Sequence, residues 1–157
     1  MDWLIFTLFI VGCELVGVLG AFFVSRSVDE WYAKLKKPRW TPPRYVFGPV
    51  WVVLYAMMGV AAYLVWAEGA SLWLFYFQLV LNFLWTFFFF GLRSPRLALV
   101  DIILLWLALI GTAVAFLQVD WKAGALLIPY IAWITYAGLL NWSILDVNAP
   151  KENRINR

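Results

Sequence analysis

Residues 46–67 read VFGPVWVVLYAMMGVAAYLVWA, twenty-two positions without a charged side chain. A helix of that length rises about 33 Å, enough to cross the roughly 30 Å hydrocarbon core of a bilayer. Four further runs match it: Trp3–Ser25, Ser71–Leu92, Leu97–Gln118 and Ala123–Leu145. Lipid offers no partner for backbone N–H and C=O groups, so a chain of this kind must cross as helices that satisfy themselves. The expected architecture is an all-α integral membrane protein, a single domain over 1–157. Its helices are expected near 3–25, 46–67, 71–92, 97–118 and 123–145, with a tail over 146–157. The first run begins Met1-Asp2, without the basic start of a signal peptide, and is kept as a helix.

Composition agrees. Hydrophobic residues make up 65% of the chain and charged residues 13%, against roughly 45–50% and about 25% in soluble domains. A soluble fold of this size could not hide that much apolar surface. The 12 Lys and Arg are distributed very unevenly. With five spans, the amino terminus and the second and fourth loops share one face, which holds only Lys122. The opposite face takes Arg26, Lys34, Lys36, Lys37, Arg39, Arg44, Arg93, Arg96, Lys151, Arg154 and Arg157. The positive-inside rule therefore puts loop one, loop three and the carboxy terminus in the cytoplasm.

The chain has no histidine and one cysteine, Cys13. Histidine ligation of zinc or haem iron, a structural zinc site and histidine-dependent nucleophiles are all excluded. No glycine-rich phosphate loop occurs, no metal site is expected, and neither is a nucleic-acid partner. What the chain has instead is aromatic: 11 Trp, 7 Tyr and 13 Phe. Three connections are very short, whereas loop one (26–45) carries Trp31, Tyr32, Trp40 and Tyr45 among Pro38, Pro42 and Pro43. These aromatics suit an interfacial belt. With prolines and basic residues interleaved, they also suit a lid over the cytoplasmic end of the bundle.

Positions three, four or seven apart share a helix face. Trp51, Tyr55 and Ala62 share one on the second run, Gln78, Asn82, Trp85 and Phe89 on the third, and Tyr130, Trp133, Ala137 and Asn141 on the fifth. Amides avoid lipid, so the third stripe is expected to point inward. Gln78 and Asn82 are then either interhelical hydrogen-bonding groups or the polar fixings of an aromatic-walled pocket. Two acids lie within the spans. Asp101 is expected to pair with Arg96 or Arg93. Glu14, where a charge costs at least about 2.5–3.5 kcal/mol, is expected to be neutral or hydrogen-bonded inside the bundle, or to relay protons, with Gly12, Gly17 and Gly20 permitting close helix approach.

Several stretches together carry a family resemblance. They are Trp31-Tyr32 with Leu35-x-Lys37-Pro38-x-Trp40-Thr41-Pro42-Pro43, Phe47-x-x-x-Trp51-x-x-Leu54-Tyr55, and Gln78-Leu79-x-Leu81-Asn82-x-x-Trp85. Ala123-Gly124-x-Leu126-x-x-Pro129-Tyr130-x-x-Trp133 and Leu140-Asn141 complete the set. In this order they resemble the tryptophan-rich sensory protein family, relatives of the mitochondrial translocator protein. The resemblance implies a five-helix, usually dimeric membrane protein that binds porphyrins such as protoporphyrin IX and haem as ligands, with no obligatory cofactor. It implies binding residues at Tyr32, Trp40, Trp51, Asn82, Trp133 and Leu140; the helix stripes add Tyr55, Trp85 and Ala137. Any enzymatic activity would be at most a light-dependent porphyrin breakdown, with Trp51 and Trp133 as oxidisable donors. Transport of tetrapyrroles or other hydrophobic molecules is the alternative. Ser143 to Val147 contains no Lys or Arg, a departure from the family's steroid-recognition pattern that weighs against sterol binding.

Overall fold

The computed structural model describes residues 2–149. Lys151, Arg154 and Arg157 of the charge count lie outside the described residues. Six α-helices occur among the described residues: α1 Trp3–Ser27, α2 Arg44–Ala67, α3 Trp73–Thr86, α4 Pro95–Val119, α5 Trp121–Leu126 and α6 Ile128–Val147, with a 3-10 turn at Tyr32–Lys34 in loop one. With α5 and α6 taken together, five segments are long and apolar enough to cross a membrane. No strand occurs among the described residues.

Three of the helix starts, those of α1, α4 and α5, have a side-chain cap. The Asp2 carboxylate accepts the Leu4 and Ile5 amides at 3.1 and 3.2 Å, Ser94 accepts Leu97 at 3.4 Å with Pro95 opening α4, and Asp120 accepts Lys122 at 2.8 Å. These side chains satisfy amides that a helix start leaves without partners. Two irregularities depart from the uniform spans expected. Phe87–Gly91 forms a π-turn at the end of α3, with Gly91 leaving room for the Phe87 and Phe23 rings. The fifth span breaks at Leu127, because Pro129 lacks an N–H and its ring opposes the carbonyl four residues back.

Around the bundle α1 packs on α2, α2 on α5, α5 and α6 on α4, α4 on α3, and α3 on α1. Beyond the break α6 stands away from α2, and this divergence opens the groove described below. The outer surface is apolar all round; Leu4, Leu8, Leu15, Val18 and Phe22 of α1 are each at least half exposed. Trp3, Trp66, Trp73 and Trp121 stand exposed at the helix ends opposite loop one, the position of an aromatic belt.

Asp101 behaves differently from expectation. Asp101 is 4% exposed and pairs with neither arginine; its Oδ2 is buried without a partner. Arg93 turns instead to Glu30, at 3.5 Å. The reason is register: Asp101 lies on the face of α4 that holds Ala98, Ile102 and Leu105, all buried, whereas Arg96 is exposed on another face and Arg93, also exposed, precedes the helix. Glu14 is half-buried and has no hydrogen bond. Of the nearby glycines, Gly17 meets the Tyr55 ring and Gly20 meets Thr86, while Gly12 faces open space.

Candidate ligand-binding site

At the centre of the bundle a polar network joins three helices. The Tyr55 hydroxyl donates to Asn82 Oδ1, Asn82 Nδ2 donates to the Tyr130 hydroxyl at 2.7 Å, and Tyr130 donates to Gln78 Oε1 at 3.2 Å. All four side chains are buried. The inward stripe on α3 is therefore as expected, and its amides meet phenols of α2 and α6. Buried polar groups without such partners would cost about 1–3 kcal/mol each, which is why the four occur together.

Aromatic rings spread from this network toward loop one. Trp51 stacks on Tyr55 at 5.4 Å and meets Trp133 edge-on at 6.4 Å; Trp133 stacks on Tyr136 at 5.7 Å, and Tyr136 meets Trp40 at 5.4 Å. Trp133 and Tyr136 form one wall of a groove of about 690 Å³ between α2 and α6. Pro49, Val53 and Met57 form the other, with Pro42 of loop one at the end. The walls are apolar with one exception inside them: the Trp133 Nε1–H is buried and has no acceptor. Native interiors rarely leave such a donor unpaired.

Loop one rests on the same end of the bundle. The Tyr136 hydroxyl donates to the Trp40 carbonyl at 2.8 Å. Asn148, just past α6, accepts the Lys36 amide at 3.1 Å and donates to the Lys36 carbonyl at 2.9 Å. Tyr32 is buried against Phe89 and Phe90, the rings that the π-turn presents, and the Lys37 ammonium sits over it at 4.6 Å. Burial, assisted by the Arg44 charge, holds the Lys37 ammonium below its usual pKa, and burial raises the Tyr32 phenol.

Eight of the nine residues singled out in the sequence fall into two groups. Trp40, Trp51, Tyr55, Asn82 and Trp133 form a continuous series from the loop to the core. Tyr32, Trp85 and Leu140 cluster around Phe89, with Trp85 donating to Asn141 at 3.2 Å; Ala137 is buried in the main core. Sequence reasoning missed Tyr136, although it stands three residues after Trp133 and so on the same helical face. It also missed Asn148, for which no sequence signal exists, since its partner is a backbone amide 112 positions away.

With this geometry in hand, comparison with known proteins is direct. A profile of the TspO/MBR family matches residues 9–146. The chain is 44% identical over 141 residues to the tryptophan-rich protein TspO of Archaeoglobus fulgidus, covering 85% of this chain and 90% of that one. It is 38% identical to protein CrtK of Rhodobacter capsulatus over 99% of each chain, and 42% identical to the human translocator protein over 85% of this chain and 86% of that one. The aromatic, five-span chain belongs to the TspO/MBR family.

Proposed function

We propose that the protein is a membrane-embedded binding protein and sensor for tetrapyrroles such as protoporphyrin IX and haem, held in the groove between α2 and α6. The observation that carries this reading is the buried, unpaired Trp133 indole N–H beside the groove. It is a directional donor in an aromatic wall, the make-up of a pocket for a flat apolar ring with a few polar atoms. The groove's volume lies within the roughly 300–1,000 Å³ of small-molecule sites. With no histidine in the chain, haem would be held by its ring and propionates or by a less usual ligand such as Tyr, and Arg39 beside Trp40 offers an exposed cation for a propionate.

Binding should be visible as saturable quenching of tryptophan emission by protoporphyrin IX. Changing both Trp51 and Trp133 to Phe is expected to weaken it by about 1–3 kcal/mol, the scale of a few lost aromatic contacts. Unchanged affinity would remove these rings from the site. The two indoles are in ring contact, which favours a light-driven reaction in which one donates an electron to the excited porphyrin. At saturating protein the single Phe variants should then bleach porphyrin more slowly than the parent.

In the same reading loop one is a cytoplasmic lid and the protein a homodimer, as the family resemblance and the charge asymmetry suggest. Asn148 is the latch, since it holds loop-one backbone from the end of α6. Protoporphyrin IX should slow hydrogen exchange over residues 28–43, and Asn148→Ala should accelerate it in the free protein. Equal protection in all three samples would make the loop a fixed belt.

A further inference from the structure

A second cavity, about 310 Å³, lies between loop one, the residues 93–96 that lead into α4, and the carboxy-terminal end of α6. Trp31 and Leu35 of loop one and Ile144 of α6 give it an apolar floor; Arg93, Arg96 and Asn148 stand at its rim. Arg96 has no acidic partner among the described residues, and Arg93 reaches only Glu30, at 3.5 Å between two largely exposed groups. Asp146, in the same turn of α6 as the floor, is already engaged. Among its lining residues the cavity therefore carries two cations and no acid, and Glu30 holds one of those cations only weakly.

Its height in the membrane is fixed by its neighbours. Leu92 and Leu97, 50% and 49% exposed, flank the two arginines in sequence. In a lipid-facing chain this places the guanidinium groups where hydrocarbon gives way to head groups. We propose that this cavity binds the phosphate head group of an anionic membrane lipid, with Arg93 and Arg96 as its anion ligands. A guanidinium fork matches two phosphate oxygens, and basic pockets between membrane helices select anionic head groups. The apolar floor suits the glycerol and first methylenes of a lipid, a feature that a free phosphate ion would leave unused. A lipid seated there would bridge loop one, loop three and α6 next to the Asn148–Lys36 clasp, so that membrane composition would set how firmly loop one is held.

The test is native mass spectrometry of the full chain in neutral detergent, titrated with phosphatidylglycerol, with phosphatidylcholine, and with phosphatidylglycerol plus millimolar inorganic phosphate. One phosphatidylglycerol should be retained in preference to phosphatidylcholine. Arg96→Gln and Arg93→Asn should each lower its retention about fivefold; asparagine tolerates the left-handed backbone at position 93, where φ is 53°. Lys122→Gln, at the other end of the bundle, should leave retention unchanged. Equal retention of the two lipids, or an unaffected double variant at 93 and 96, would overturn the proposal. Displacement by inorganic phosphate would assign the cavity to a soluble anion and overturn the lipid assignment.

Discussion

Replacing Gly59 with alanine is expected to force α1 and α2 apart. A Cβ at this position would lie 2.6 Å from Ile10 Cα, 2.9 Å from Ile10 N and 2.9 Å from the Phe9 carbonyl oxygen. All three are backbone atoms, so no side chain can rotate out of the way and one helix must move as a body. Overpacking of this kind costs about 1–3 kcal/mol and occasionally more, and a backbone obstacle places Gly59 at or above the upper end. The consequence reaches the candidate site, because α2 carries Trp51 and Tyr55, and Gly17 of α1 accommodates the Tyr55 ring on the same interface. Gly12→Ala is the control, since nothing lies within 4 Å of its added carbon. Unfolding in detergent or bicelles should show a large loss for Gly59→Ala and almost none for Gly12→Ala. Equal stabilities would mean that α1 does not cross α2 at this point.

That contrast marks where the sequence stops being readable. The five spans are legible because lipid demands a long apolar run from each, whatever it packs against. The inward stripe of Gln78, Asn82 and Phe89 is legible for a related reason: amides avoid lipid, and helical spacing carries Phe89 with them. Close approach is a property of two helices at one crossing, and the sequence of either alone does not locate it. Gly12, Gly17 and Gly20 stand out in α1, yet the place where α1 brings its backbone against a glycine is Gly59 of α2, opposite Phe9 and Ile10, where no α1 glycine marks the crossing. The same holds for Asp101: Arg96 lies on another face of α4, and Arg93 precedes that helix. Proline is ambiguous in its own way. Pro49 is absorbed within α2, while Pro129 ends α5 and opens α6; the groove depends on that difference, and both prolines sit in uncharged runs.

Asn82 is where the core packing meets the proposed site. It accepts from Tyr55, which lies under Trp51, and donates to Tyr130 at 2.7 Å. Asn82→Leu would leave the Tyr55 hydroxyl without an acceptor in a dry core, at a cost of about 1–3 kcal/mol, while Tyr130 would keep Gln78 at 3.2 Å. Hydrogen bonds between membrane helices are worth about 0.6–1.7 kcal/mol in double-mutant cycles, so the larger part of the loss should come from the orphaned hydroxyl. The effects at 55 and 82 should therefore not add. Tyr55→Phe should destabilise the parent and be nearly neutral, or restoring, in the Asn82→Leu background, because it removes the hydroxyl left behind. If Asn82 acts by positioning Tyr55 and Trp51, the destabilised variant should still gain thermal stability on adding protoporphyrin IX, and the double variant should regain part of its affinity. If Asn82 touches the ligand, binding would instead be lost in both backgrounds while the stability cycle stayed the same. Additive stability losses would break the link between Tyr55 and Asn82, and with it the argument that the core network sets the geometry of the aromatic wall.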